Sequence, residues 1–133
     1  MPRNLITLTL TLALALAGAT TGSTSTPAEA VRNAFAMELD AIVVKCPDNL
    51  DLAPEIDPYC ARTTGNLDMA KPLVDFAVLM IGDVRWTTPW RGDDYGRLAR
   101  DLTRERSTLS STLMLIPMGG FETLLVFFET PEA

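Results

Sequence analysis

The tightest constraint on the fold lies near the C-terminus, where two β-runs flank a glycine-containing turn. Thr108 to Ile116 and Phe121 to Glu129 are rich in β-branched, aromatic and leucine side chains, and Pro117-Met118-Gly119-Gly120 joins them. The glycines supply the positive φ that a tight hairpin needs. With Gly119-Gly120 as the two turn residues, Met114 faces Leu125 and Ile116 faces Thr123 on one side. Leu113 then pairs with Val126, and Leu115 with Leu124, on the other. A sheet with one wet face alternates apolar and polar residues, but here both faces are apolar. The second face is therefore either covered within the domain or used as an interface. Met114, Ile116, Phe121, Leu125 and Phe127 are the candidate interface residues, and a homodimer is one partner they would suit.

Upstream, a period of two runs through Val84, Trp86, Thr88 and Trp90, alternating with Arg85, Thr87 and Arg91. Gly92-Asp93-Asp94 reads as a turn, and Tyr95 to about Leu102 as a second strand. Two helices precede these strands. From Pro27 to about Asp40, Val31, Phe35, Leu39 and Ile42 recur at helical spacing, with Thr26 as N-cap, Pro27 in the first turn and Glu29 closing a capping box. Ile42-Val43-Val44 is β-branched and predicts an extended run into Cys46, after which Pro47, Pro54 and Pro58 keep the chain irregular. From Asn66 to about Met80, Met69, Leu73, Phe76, Ala77 and Met80 share a face that predicts the core side of a second helix. Pro72 moves its expected ordered start to near Lys71, and Phe76 to Ile81 also reads as a buried strand. The expected fold is α+β: two N-terminal helices packed on an antiparallel β-meander of three to four strands, in two layers.

The N-terminus reads as a secretory leader. Arg3 supplies positive charge, Leu5 to Ala17 is apolar but for threonines, and Ala17-Gly18-Ala19 offers small residues for cleavage. The apolar run is shorter than the ~20 residues that span a bilayer, so no transmembrane anchor is expected. Ala19 stands where a lipoprotein would carry cysteine. The expected organisation is a leader over 1–19, a flexible tail over 20–26 and one domain over 27–133, exported to a periplasm or the medium. Losing Arg3 leaves ten basic and seventeen acidic residues, a net charge of −7, which disfavours nucleic acid or anionic membrane as partner. An oxidising destination makes a disulfide of Cys46 and Cys60, whose spacing is not that of a C-x-x-C redox pair. Closing that 15-residue loop is worth about 3 kcal/mol in the chain-entropy account.

The chain contains no histidine, which removes Ser-His-Asp and Cys-His nucleophiles and the usual zinc sites. No cofactor or metal is expected. Asp48, Asp51, Glu55 and Asp57 crowd the cysteine loop, but they lack the spacing and glycine of an EF-hand and read as solvated surface. Six arginines fall between residues 85 and 106 against four acids. Beside them Trp86, Trp90, Arg91 and Tyr95 form a candidate binding patch for a protein or envelope component, with burial of both tryptophans as the simpler reading. The resulting expectation is a non-catalytic binding or interaction domain. The alternative is a small carboxylate-based hydrolase acting on an envelope polymer through Glu38 or an acid of the loop.

Overall fold

The computed structural model describes residues 26–131. The leader read over 1–19 and residues 20–25 of the tail read over 20–26 lie outside the described residues, while Thr26 caps the first helix. The first helix, α1 (Pro27–Leu39), starts where expected: the Thr26 hydroxyl accepts the Glu29 N–H at 3.2 Å, and Pro27 sits in the first turn. It stops at Asp40, which is left-handed at φ 55°. Strand β1 (Ile42–Val44) follows, then the irregular cysteine loop, then β2 (Tyr59–Thr64). Helix α2 (Leu67–Ile81) leads into β3 (Val84–Trp86), β4 (Arg91–Gly92), β5 (Leu98–Arg104), β6 (Ser110–Gly119) and β7 (Glu122–Glu129).

Among the described residues these strands make one seven-stranded antiparallel sheet in the order β1-β2-β7-β6-β5-β3, with β4 also paired to β5. This corrects the expected arrangement of two leading helices on a short meander. The meander exists from β3 to β7, but β1 and β2 intervene between the helices and extend the sheet beyond β7. Strand β2 was hidden by the prolines before it. It begins directly after Pro58, where proline costs no ladder bond, and Tyr59, Thr63 and Thr64 suit an extended backbone.

Three local corrections follow. Helix α2 begins at Leu67, because the Asn66 side chain caps it by accepting the Met69 N–H at 3.0 Å; Pro72 is carried inside, and Phe76 to Ile81 is helical. The strand expected from Val84 breaks after Trp86 and resumes at Arg91, with Trp86 opposite Leu102 and Arg91 opposite Ala99. Four residues thus face two. The C-terminal hairpin is shifted by one: Leu113 pairs with Phe127, Met114 with Val126, Leu115 with Leu125 and Ile116 with Leu124. Its turn is Gly120-Phe121, both at positive φ, while Gly119 belongs to a bulge.

That shift decides what each face buries. Leu125 and Phe127, read as companions of Met114 and Ile116, lie fully buried on the opposite face, against Phe35 and Val74 of the helices. Met114 and Ile116 share the far face with Leu124, Val126 and Phe128, and there Leu50, Leu52 and Ile56 of the cysteine loop pack over them. The second apolar face is thus covered from within, by a loop held through the Cys46–Cys60 disulfide.

Candidate functional site

Helix α2 is apolar on nearly every side. Ala70, Val74, Ala77 and Val78 face inward, and their small size lets the helix lie close to the sheet. Met69, Leu73, Phe76 and Met80 face outward, each about half exposed, with Leu79 beside them at 75 % exposure. This corrects the expected core side: of its five residues only Ala77 is buried. Two apolar stripes compete on this helix, and a polar hook selects between them. The Asp75 carboxylate accepts the Trp90 indole N–H at 3.0 Å and the Arg100 guanidinium at 3.2 Å, which sets the rotation of α2 against the sheet edge.

That hook ends a line of aromatic rings. Phe127 meets Phe35 at 5.3 Å, Phe35 meets Trp86 at 6.5 Å, and Trp86 meets Trp90 at 5.3 Å between centroids. Arg100 lies over the Trp86 ring at 4.5 Å and donates to the Thr88 carbonyl at 2.6 Å. Both tryptophans are half-buried against the helix-side core. Arg91 does not join them. It lies beyond the break, exposed, and pairs with Asp101 at 3.0 Å. Tyr95 occupies the tip of the β4–β5 turn, with Arg97 over its ring at 5.2 Å. The four residues of the candidate patch therefore fall in three places. The arginine run is largely internal bookkeeping of charge: Arg91, Arg97, Arg100 and Arg104 each pair with an aspartate.

Comparison with known protein families, curated proteins and solved structures finds no match to this chain. The geometry alone has to carry the functional reading.

The acids do not assemble into a second centre. Glu38 is exposed on α1. Glu55, Asp57 and Glu129 line an open hollow of about 320 Å³ with Tyr59 and Pro131, and all three carboxylates face solvent. A second hollow, about 470 Å³, sits over the cysteine loop between Lys45, Asp48, Asp51 and the apolar Leu50, Leu52 and Ile56. Among the described residues no three His, Cys, Asp or Glu side chains come together as metal ligands. At Asp93, burial pushes the carboxyl upward, but bonds from the Arg97 N–H and guanidinium and the Tyr95 N–H outweigh it and hold the group below the usual carboxylate range. It organises the β4–β5 turn.

Of the interface candidates, Met114 and Ile116 are half-buried under the loop, Leu125 and Phe127 are in the core, and Phe121 is exposed in the hairpin turn. The outward stripe of α2 was absent from the candidate sites. Its signal was nonetheless present: a helix whose polar residues are confined to the narrow stripe Asp68, Lys71 and Asp75 has more apolar surface than one sheet can cover.

Proposed function

We propose that this chain is a non-catalytic interaction domain acting where thiols are oxidised, in a periplasm, cell envelope or the medium, and that the outward face of α2 is its contact surface. The observation that carries this reading is the contiguous row Met69, Leu73, Phe76, Leu79 and Met80, all large, apolar and exposed. Contiguous apolar surface of this kind marks interaction sites, whereas single exposed apolar residues do not. The backbone beneath it is held by an N-cap, a packed inner face and the Asp75 hook, so binding needs little ordering of the helix. The disulfide supports the oxidising location, and among the described residues no helix is long and apolar enough to cross a membrane. The hydrolase alternative needs two convergent acids in a cleft; Glu38 is exposed and lines neither hollow described above, and the loop acids Glu55 and Asp57, which line one of them with Glu129, are all turned to solvent.

Photo-crosslinking tests the reading. A benzophenone side chain placed at Phe76 in the oxidised protein, irradiated in its own host, is expected to give a discrete protein adduct. The same group at Asn33, exposed on α1, is the control and should give none. Absence of any adduct at position 76 would remove the α2 face as the contact surface.

A further inference from the structure

We infer that the partner seated on the outward face of α2 is α2 of a second copy of this chain, packed antiparallel about a two-fold axis. This rests on the reading of that face as the contact surface and names its occupant. Met69, Leu73, Phe76 and Met80 are spaced four, three and four residues apart. Alternating steps of four and three form the apolar seam of a left-handed helix pair. This seam is also palindromic. It reads four-three-four from either end, with methionine at both ends and the two bulkier side chains inside. An antiparallel partner therefore sets Met69 against the partner's Met80 and Leu73 against the partner's Phe76, each contact occurring twice, as a closed two-fold interface requires.

The flanks of the seam point the same way. On its solvent side the stripe is bordered by Pro72 and Leu79, both uncharged, while Ala70 and Ala77 on its other side are buried against the sheet. Two copies of a chain with net charge −6 repel elsewhere on their surfaces but not along this stripe. Because the stripe faces away from the sheet, both sheets stay on the outside of the pair. Complete cover of the five exposed side chains takes roughly 500 Å² per copy out of water, so a pair buries at most roughly 1,000 Å², the lower limit for a specific interface. An interface at that limit makes a dimer whose population depends on protein concentration.

Sedimentation velocity on the oxidised protein, from about 10 μM to about 1 mM, tests this. The mass is expected to rise from monomer to dimer over that range. Phe76→Glu and Leu73→Lys each should raise the midpoint at least about tenfold, while melting curves at low concentration show both still folded. The combined Leu73→Lys/Phe76→Glu protein should recover dimerisation, because each lysine then meets the partner's glutamate. In a parallel pair lysine would meet lysine, so failure of the combined protein to recover overturns the antiparallel register. A dimer that survives Phe76→Glu but dissolves with Val43→Lys belongs to the exposed β1 edge and overturns the inference. A wild type that stays monomeric at about 1 mM overturns it too. In that case, position-76 adducts with another protein keep the α2 face as the contact surface. Adducts mapped to residues 1–25 of the same chain instead make that segment the occupant, and no adduct ends both readings.

Discussion

Helices α1 and α2 cover the same face of the same sheet, yet their outer sides differ in kind. Helix α1 turns Ala28, Val31, Phe35 and Ala36 inward and shows solvent Asn33, Glu38 and a lone Met37. Helix α2 also buries four small or medium side chains, but what it shows solvent is larger and more apolar than what it buries. The lesson is that the most apolar stripe of a helix need not be its core stripe. Where two stripes compete, side-chain volume and a polar anchor such as Asp75 decide the rotation.

The two phenylalanines give the sharpest way to break this comparison. Phe35, fully buried between Phe127 and Trp86, should cost about 3–5 kcal/mol when changed to alanine. Phe76→Ala should change monomer stability by less than about 0.5 kcal/mol. Denaturant melts of both variants at low concentration measure the gap, and equal losses would mean that α2 is rotated differently. The prolines sharpen it next. Pro72 removes an intrahelical bond in α2, so Pro72→Ala should raise stability by about 1–3 kcal/mol. Pro27→Ala, in the first turn of α1, should stay within about 0.5 kcal/mol.

The smallest effect lies away from both helices and serves as their control. Asp93 has its carboxyl pKa lowered on folding, so its stabilisation is fully present above the ordinary carboxylate range and fades as pH falls through the lowered folded value. Melting temperatures stepped from about pH 5 to about pH 2 should fall less steeply for Asp93→Asn than for wild type. Neither helix face contributes to that difference.

The helices, the hairpin and the disulfide were legible in the residues. Thr26 and Glu29 marked a helix start that needs only local geometry, and Cys46 had one possible covalent partner. What stayed hidden was non-local. Strand β2 depends on β7 for most of its pairing, and nothing near Tyr59 announces a partner some sixty residues away. The hairpin register turned on Phe121 taking φ 65°, a conformation that favours glycine, while Gly119 went to the bulge. One residue of slip exchanged the faces, moving Leu125 and Phe127 from a candidate interface into the core. The outer stripe of α2 was visible as a pattern but not as a surface, since the rotation also depends on Trp90 and Arg100, distant in the chain, which bond to Asp75.

The cysteine loop gives the molecule a seasonal layer. Leu50, Leu52 and Ile56 belong to no helix or strand; their own apolar packing, the Arg97 guanidinium donating to the Leu50 carbonyl at 3.3 Å and one covalent clasp keep them over Met114, Ile116 and Val126. Under reducing conditions the sheet is expected to keep its helical side while its other side loses that clasp and loosens toward water. The surroundings, through their thiol balance, then contribute part of the architecture that the backbone leaves unfinished.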